Sequence, residues 1–337
     1  MKESQSPKTF QAMVVEEDSE GHFQRHIQTR LIDELPPGDI LVKVHYSSLN
    51  YKDALSASGN KGVTRTYPHT PGIDAAGIVD ESNDPRFRPG DRVIVTSYDL
   101  GMNTAGGLGQ YIRVPADWVV PMPENLSPRE SMMYGTAGLT AALAVHKLKM
   151  FGAKPDQGPV VVTGATGGVG SLSIMLLARE KFKVVAATGK MHEQKYLTEL
   201  GAEAVIHRDE VSDQSGRPLL SAQWSGAIDT VGGNILSTLI RAAKQEGVIA
   251  SCGNAASHKL DINVYPFILR GVNLVGIDSG NCRMKLRKKI WAKLADEWKL
   301  PKLNTMVSEC SLLELDGEIE KMLNGQQTGR ILVNLWR

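Results

Sequence analysis

The stretch TGATGGVGS, residues 163–171, follows the apolar run PVVV and leads into LSIMLLARE. Glycines therefore lie where a β-strand would end and a helix would begin. Gly164, Gly167 and Gly170 form a GxxGxxG pattern, which is a variant of the dinucleotide-binding fingerprint. Glycine allows a tight turn and a close approach of the backbone to a pyrophosphate, which the N–H groups of a helix N-terminus bind. The alternative is a turn whose glycines are purely structural.

The sequence from this turn onward alternates between short apolar runs and helical patterns. The six runs are VVVTG, KVVAAT, EAVIH, GAIDTV, GVIASCG and NLVGID. Strands that alternate with helices are typical of an α/β fold with a doubly wound parallel sheet. Because the glycine turn follows the first of these strands, the context favours a cofactor site over a structural turn.

The segment before this pattern has a different character. Residues from about 10 to 125 form short β-type runs broken by proline and glycine, which predicts a β-rich domain. The motif SPRE at 127–130 has the Ser-x-x-Glu spacing of a helix capping box, with proline at the first helical position. A helix is therefore predicted to begin at the boundary, at Pro128.

The last segment contains the strand-like run ILVNLW, which we expect to return to the first domain. We therefore predict a β-rich domain over residues 1–127, completed by about 280–337. The cofactor domain is predicted over residues 128–279.

The end of the second predicted strand distinguishes between the two nicotinamide cofactors. An NAD site usually carries Asp or Glu there, about 20 residues past the glycines, to bind the ribose 2′-hydroxyl. This chain instead has Thr188, Gly189 and Lys190, and Arg208 follows the next strand. Two cations without a carboxylate match a 2′-phosphate, so the sequence predicts NADPH. The alternative is that both are solvated surface cations.

The composition excludes several classes of protein. The chain has 337 residues, of which 42% are apolar and 22% charged, and a formal net charge of +1, so general attraction to nucleic acid or an anionic membrane is not expected. Its partners are expected to be small molecules. The three cysteines, Cys252, Cys282 and Cys310, suit neither a disulfide framework nor a zinc ribbon. The N-terminal MKESQSPKTF lacks the apolar core of a signal peptide, and a cytoplasmic protein is expected.

Several further motifs resemble the medium-chain dehydrogenase/reductase superfamily, and within it the YhdH/YhfP branch, which contains acrylyl-CoA reductase. The resemblance implies a GroES-like β-rich catalytic domain, a Rossmann domain that binds NADPH, and a homodimer joined through the cofactor-domain sheets. The motifs, beside TGATGGVGS, are SSLNYKDAL (47–55), YPHTPGIDAAG (67–77), DPRFRPGDRV (84–93), GTAGLTA (135–141), GAIDTVGG (226–233) and PFILRGVNLVGIDS (266–279).

The chain departs from the zinc alcohol dehydrogenases of this superfamily at their metal ligands. Where those enzymes carry a cysteine ligand this chain has Asn50, and where they carry Gly-His-Glu it has Gly72-Ile73-Asp74. Isoleucine cannot bind zinc and an amide is a poor substitute for a thiolate, so no metal is expected. Without one, reduction of an activated C=C bond or of a quinone is expected rather than alcohol oxidation.

The resemblance places the motif NYKD on the nicotinamide side of the site. Tyr51 is the first candidate for a nicotinamide contact and proton donor, because a phenol stays protonated at neutral pH. The alternative is a buried tyrosine that only satisfies a carbonyl. Asn50 is a second candidate catalytic donor, with loop capping as its alternative. Lys52 and Asp53 are expected to form an ion pair that holds the loop.

The predicted cofactor contacts extend well beyond the glycine turn. The alternative for Thr136 and Thr140 is that they cap or pack a helix. Gly325 lies where some relatives have asparagine, so the side-chain contact is lost and only a backbone contact is expected there. The full predicted set is Tyr51, Thr136, Thr140, Gly164, Gly167, Gly168, Val169, Gly170, Ser171, Thr188, Gly189, Lys190, Arg208, Gly253, Asn254, Ile268, Ser279 and Gly325.

Three functions fit the sequence. The first is zinc-independent, NADPH-dependent reduction of acryloyl-CoA to propanoyl-CoA. The second is NADPH:quinone oxidoreduction, and the third is a non-catalytic NADPH-binding sensor or structural protein. The basic cluster Lys285, Arg287, Lys288 and Lys289 suits either a solvated helix face or the phosphates of CoA.

Overall fold

A computed structural model describes residues 8–337, so the signal-peptide expectation for the N-terminus lies largely outside the described residues. The chain divides into two compact units. The first comprises residues up to 136 together with 280–295 and 303–337. The second comprises residues 137–279 and 296–302.

The N-terminal part of the first unit is rich in β-structure, with strands that carry an apolar, valine-rich buried face. The first two strands form an antiparallel pair of their own, and the others join a larger sheet. Its elements are β1 (Thr9–Glu17), β2 (Phe23–Leu31), β3 (Ile40–Leu49), α1 (Tyr51–Ala57), β4 (Asp74–Ser82), β5 (Arg92–Thr96), β6 (Tyr111–Val114) and β7 (Val119–Pro121).

The helix α2 (Pro128–Met150) begins where the SPRE motif predicts. The Glu130 carboxylate accepts hydrogen bonds from the backbone and hydroxyl of Ser127, and the Ser127 hydroxyl accepts one from the Glu130 N–H. This reciprocal pairing satisfies donors that a helix N-terminus otherwise leaves unpaired, and it confirms the predicted capping box. The helix is kinked at Gly135, whose φ of 52° and ψ of −154° are not helical.

The second unit contains the predicted alternation of strands and helices. All six strands are parallel, in the order β10-β9-β8-β11-β12-β13. The doubly wound fold is therefore confirmed. Its order reverses between β8 and β11, the place where such sheets bind ligands. The elements are β8 (Val160–Thr163), α3 (Gly168–Arg179), β9 (Val184–Thr188), α4 (Gln194–Glu199), β10 (Ala204–His207), β11 (Trp224–Asp229), α5 (Gly233–Arg241), β12 (Ala243–Ser251), α6 (Tyr265–Arg270) and β13 (Asn273–Gly276).

The C-terminal part of the chain completes the sheet of the first unit. Strand β15 pairs antiparallel with β3, and β14 pairs parallel with β15, which gives the order β14-β15-β3-β4-β5-β7 with β6 on β3. The elements are α7 (Met284–Ala295), β14 (Val307–Ser311), α8 (Leu315–Leu323) and β15 (Arg330–Asn334). Within residues 8–337, no helix is long and apolar enough to cross a membrane.

The basic cluster on α7 is not uniform. Lys285, Lys288 and Lys289 are exposed, but Arg287 is fully buried. Its guanidinium donates to the Thr96 carbonyl at 2.7 Å and to the Gly280 carbonyl at 2.9 Å. Arg287 is therefore wrongly grouped with the surface cations, since it is a packing element of the first unit.

Candidate active site

The glycine turn joins β8 to α3. Gly164 has a φ of +56°, and an added Cβ on Gly170 would contact the Gly164 carbonyl oxygen and lie 2.8 Å from the Ala165 Cα. The first helical bond runs from the Ser171 N–H to the Gly167 carbonyl at 2.8 Å. The amides before it, from Gly168 onward, precede the intrahelical ladder, which is the arrangement that binds a phosphate.

Hydrogen bonds from three elements hold this turn. The Ala165 N–H donates to the Ala187 carbonyl of β9 at 3.3 Å, and the Ser171 hydroxyl donates to the Ala165 carbonyl at 3.1 Å. The Tyr196 hydroxyl on α4 donates to the Ser171 oxygen at 2.9 Å. Ser171 is fully buried and engaged on both sides. The contact between Ser171 and a phosphate stays a prediction.

The end of β9 gathers the residues that the sequence assigns to the adenosine ribose. Arg208 covers Gly189, because an added Cβ on Gly189 would lie 3.2 Å from the Arg208 Cδ and Nε. The Lys190 N–H donates to the Thr188 hydroxyl at 3.0 Å, and burial lowers the pKa of the half-buried Lys190 ammonium. Two cations therefore lie at the carboxyl end of one strand.

At the end of β11, across the switch point from β8, lies Asp229, a residue that the sequence analysis did not single out. The Thr163 hydroxyl, at the end of β8, donates to the Asp229 carboxylate at the end of β11, at 2.6 Å. Asp229 is fully buried and also accepts from the Gly232 N–H at 2.8 Å. An added Cβ on Gly232 would lie 3.2 Å from the Asn254 Cα and 3.4 Å from the Gly253 carbonyl oxygen. The predicted contacts after β12 therefore lie against this loop.

Three more predicted contacts lie in the second unit. The Thr140 hydroxyl donates to the Ser279 hydroxyl at 2.7 Å, so the structure brings these two residues together. Ile268 lies on α6 with its side chain largely exposed. Tyr51, Asn50, Thr136 and Gly325 belong to the first unit.

A buried polar network lies in the first unit around Asp74, the first residue of β4. Its carboxylate accepts from the Ser48 hydroxyl at 2.6 Å and from the Asn50 amide at 2.8 Å. It also accepts from the Thr136 hydroxyl at 2.6 Å and from the Thr136 N–H at 2.9 Å. Asp74 therefore joins β3, the start of α1 and the kinked helix α2.

Arg330, the first residue of β15, closes the network from the other side. It donates to the Asn50 amide oxygen at 3.0 Å and to the Ser48 hydroxyl at 2.6 Å, and its Nη2 lies 3.6 Å from the Asp74 Oδ2. Both partners of this ion pair are buried, and burial lowers the pKa of the guanidinium. Gly135 leaves room for the network, since an added Cβ there would lie 2.6 Å from both Arg330 and Ser48 and would contact Asp74.

Asp53 forms a second buried carboxylate beside this network. It accepts from the backbone N–H groups of Asn50 at 2.7 Å and of Ile73 at 2.8 Å. Burial, with the nearby charge of Asp74, raises the pKa of Asp53 to about 7, although these N–H groups favour the carboxylate. The ion pair predicted between Lys52 and Asp53 is wrong, because Lys52 is exposed and Asp53 is directed inward.

Tyr51 and Asn50 differ in what they offer a ligand. Tyr51 is the first residue of α1, and 53% of its surface is exposed. The alternative of a buried tyrosine is therefore wrong. The Asn50 amide is engaged by Asp74 and Arg330, which favours its alternative role of holding the loop. Its role as a donor to substrate stays a prediction.

Two residues from the stretches that correspond to zinc-ligand motifs in the resembled enzymes, Asn50 and Asp74, belong to this network, whereas Ile73 donates only its backbone N–H, to Asp53. Asn50 and Asp74 are hydrogen-bonded to each other, and both contact Arg330. Among residues 8–337, no group of three or more His, Cys, Asp or Glu residues is arranged to hold a metal ion. The polar cluster at these positions is built around a guanidinium.

Several residues of the site were not singled out from the sequence, among them Arg330, Tyr196 and Asp229. The available signal for Arg330 was a charged residue at the head of the apolar run ILVNLW, which is unusual for a buried strand. The side-chain partners of these residues lie 25 to 282 positions away in the sequence, so the sequence did not indicate what each side chain contacts.

Comparison with known proteins gives the family. The model of the alcohol dehydrogenase GroES-like domain matches residues 36–124, and that of the zinc-binding dehydrogenase matches 168–296. Protein YhfP of Bacillus subtilis is 45% identical over 97% of this chain and 99% of its own length. Acrylyl-CoA reductase AcuI of Ruegeria pomeroyi is 42% identical over the same shares. The chain belongs to the medium-chain dehydrogenase/reductase superfamily.

Solved structures of this medium-chain dehydrogenase/reductase branch have the same fold. The yhdH oxidoreductase from Salmonella enterica in complex with NADP matches with a TM-score of 0.93 and 41% identity, over 96% of this chain and 99% of that one. Bacillus subtilis yhfP with NAD bound matches with a TM-score of 0.94 and 44% identity, over 97% and 100%. The protein is therefore an oxidoreductase of this superfamily, and the predicted resemblance is confirmed.

Proposed function

We propose that the protein reduces the C=C bond of acryloyl-CoA to give propanoyl-CoA, with NADPH as the reductant. The observation that supports NADPH as the cofactor is the pair of cations Lys190 and Arg208 at the end of β9, near a glycine turn of the kind that binds anions. The substrate is taken from the relative AcuI, which is named an acrylyl-CoA reductase and aligns over nearly the full length of this chain.

The residues of the second unit fit NADPH. The amides at the start of α3 would hold the pyrophosphate, since they precede the first intrahelical hydrogen bond, from Ser171 to Gly167. Lys190 and Arg208 would pair with the 2′-phosphate through charged hydrogen bonds. When bound, NADPH supplies a hydride to the β-carbon of the substrate.

The residues of the first unit would supply the hydrogen-bond donor that the reaction needs. As the C=C bond is reduced, negative charge develops on the thioester oxygen, and a fixed hydrogen-bond donor stabilises it. We assign this donor to Tyr51, whose side chain is exposed and which directly follows Asn50, a member of the Asp74–Arg330 network. One proton is then added at the α-carbon, so that acryloyl-CoA, NADPH and H⁺ give propanoyl-CoA and NADP⁺.

Steady-state oxidation of NADPH by metal-free protein tests this function. We expect acryloyl-CoA to be consumed with a kcat/KM of at least ~10⁴ M⁻¹s⁻¹, an ordinary value for an enzyme with its own substrate. A simple benzoquinone provides the comparison. If only the quinone reacts, or if NADPH binds and neither compound reacts, the assigned substrate is wrong.

NADPH:quinone oxidoreduction is the second candidate function. It is favoured by the relative YhfP, which is named as a quinone oxidoreductase and is 45% identical to this chain. The same cofactor residues serve both reactions. The substrate comparison above distinguishes them, because a quinone reductase would not need the thioester.

Tyr51→Phe is expected to lower kcat for acryloyl-CoA about tenfold or more, because one preorganised donor to a developing oxyanion is lost. Since the side chain is half exposed, the circular dichroism spectrum and Tm are expected to stay at wild-type values. Tyr265→Phe is the matched control, because Tyr265 on α6 is exposed to a similar degree. Unchanged turnover in the Tyr51 variant would remove this residue from the mechanism.

The Lys190→Ala, Arg208→Ala double variant is expected to raise the Kd for NADPH about tenfold or more, because charged hydrogen bonds to the 2′-phosphate are lost. The Kd for NADH, which lacks that phosphate, should change little. Lys195→Ala removes an exposed cation from α4 and serves as the control. Equal Michaelis constants of the wild-type protein for NADPH and NADH would contradict this assignment.

We also propose that the protein is a homodimer joined at β13. This strand ends the six-stranded sheet, and large apolar side chains near it are exposed, among them Leu269 at 58% and Leu274 at 37%. Leu269→Glu is expected to convert a dimer of about twice 36.6 kDa to the monomer, because it places a charge on the apolar face. Light scattering measures the mass, and a monomeric wild-type protein would overturn the proposal.

A further inference from the structure

Tyr196 is not among the predicted site residues, but its hydroxyl is connected to the glycine turn by hydrogen bonds through the side chain of Ser171. The chain of hydrogen bonds runs from Tyr196 to Ser171 at 2.9 Å and from Ser171 to the Ala165 carbonyl at 3.1 Å. The Ala165 N–H continues it to the Ala187 carbonyl at 3.3 Å. Helix α4, helix α3 and strand β9 are therefore tied together at Ala165.

The direction of each bond follows from its chemistry. A carbonyl oxygen can only accept, so the single hydroxyl hydrogen of Ser171 is used on Ala165. Tyr196 must then supply its own hydrogen to the Ser171 oxygen. Burial raises the pKa of Tyr196 to about 12, which keeps this phenol protonated at physiological pH.

Ala165 sets the course of the backbone that faces the pyrophosphate. It lies directly after Gly164, whose φ is +56°, and an added Cβ on Gly170 would lie 2.8 Å from its Cα. A shift of this residue would move the amides at the start of α3, because they belong to the same continuous turn. The Ser171 hydroxyl, which is fully buried, holds Ala165 from the protein interior through its hydrogen bond to the Ala165 carbonyl.

We propose that Tyr196 is a positioning residue for the cofactor, holding the pyrophosphate-binding turn through Ser171 and Ala165. The inference rests on the NADPH use proposed above. Because the chain of bonds passes through the pyrophosphate turn to Ala187 and includes neither Lys190 nor Arg208, Tyr196 is expected to support NADPH and NADH equally. This separates its role from that of the two cations.

The test is the Kd of Tyr196→Phe for NADPH and for NADH, measured by nucleotide fluorescence without substrate. Loss of one neutral hydrogen bond is expected to raise both Kd values roughly three- to tenfold, with their ratio unchanged. At saturating NADPH, kcat should equal the wild-type value. Ser171→Ala should have a similar effect, and the double variant should be no weaker than the worse single variant, because both remove one chain. Tyr46→Phe, at a half-buried tyrosine of the first unit, is the control for removal of a phenol oxygen.

Each other result overturns the inference. Wild-type Kd values in Tyr196→Phe, or additive losses in the double variant, would show that the turn does not depend on this chain of bonds. A rise confined to NADPH would place Tyr196 in the 2′-phosphate site. A Tm well below that of Tyr46→Phe together with a lower kcat would indicate a general packing role. Wild-type protein that binds neither nucleotide would refute the cofactor assignment, whereas failure of acryloyl-CoA alone as a substrate would leave this test intact.

Discussion

Arg330→Met is expected to lower the free energy of unfolding by about 3–5 kcal/mol, the usual cost of removing one partner of a buried ion pair. The guanidinium is the cation beside the fully buried Asp74, at 3.6 Å, and it also donates to Asn50 and Ser48. Methionine replaces the apolar stem of arginine but not the guanidinium, so it leaves the Asp74 charge uncompensated. Urea-induced unfolding, followed by circular dichroism, measures the loss.

A second substitution distinguishes loss of charge pairing from loss of packing. The double variant Asp74→Asn, Arg330→Met no longer contains the carboxylate charge that the single variant Arg330→Met leaves without a cation. The side-chain amide of Asn50 can then rotate to form a hydrogen bond with the amide of the asparagine at position 74. The double variant is therefore expected to lose less than the sum of the two single variants, with a coupling of about 0.5–3 kcal/mol. Arg86→Met, which removes an exposed arginine of the same unit, should stay near wild-type stability. Additive single losses would refute the role of the ion pair.

The fold of the second unit was predictable because its signals are local. Each of the six parallel strands is a short apolar run, and a fully buried strand such as Val160–Thr163 needs nothing else to be recognised. The start of α2 was equally local, since Ser127 and Glu130 are three residues apart and pair with each other. Patterns of this kind depend only on residues that are close in the sequence, so a single sequence is enough to recognise them.

The polar networks were not predictable because their partners are distant in the sequence. Arg330 lies 280 residues from Asn50, and only the return of β15 to β3 brings them together. Asp74 was noted from the sequence only as the end of the stretch Gly72-Ile73-Asp74, which departs from a metal-binding motif, and not as the centre of a network. The same reason applies to Arg287, which looked like one of several surface cations until its carbonyl partner at position 96 was known.

The cofactor turn is intermediate between these cases. Its glycines identified it, but the spacing did not indicate which of them is sterically required. The structure separates them, because an added Cβ on Gly167 has its nearest neighbour at 3.4 Å, in ordinary contact, whereas one on Gly170 meets backbone atoms. The reason is that the helix α3 packs directly over Gly164 and Ala165 at Gly170.

Gly170→Ala is therefore expected to destabilise the protein by about 1–3 kcal/mol, the usual cost of overpacking a site that cannot relax. The added methyl would contact the Gly164 carbonyl oxygen and lie 2.8 Å from the Ala165 Cα, and neither backbone atom can rotate away as a side chain would. At about 2–4 °C per kcal/mol, the apparent Tm should fall by several degrees. Because the turn must open to admit the methyl, its amides leave the positions that bind a phosphate, and NADPH affinity should fall more than tenfold.

Gly167→Ala provides the matched control within the same motif. Its methyl would meet only the Gly164 carbonyl oxygen, at 3.4 Å, and the backbone there has a φ of −77°, which alanine adopts freely. Without nucleotide, its Tm should therefore match that of the wild-type protein. A Gly170 variant as stable as the Gly167 variant would show that α3 can move away from the turn, and the steric account of the third glycine would then be wrong. If the two variants instead differ in Tm without nucleotide, the requirement for glycine at position 170 is a property of the fold itself, and the cofactor uses a turn that the packing of α3 on β8 has already imposed.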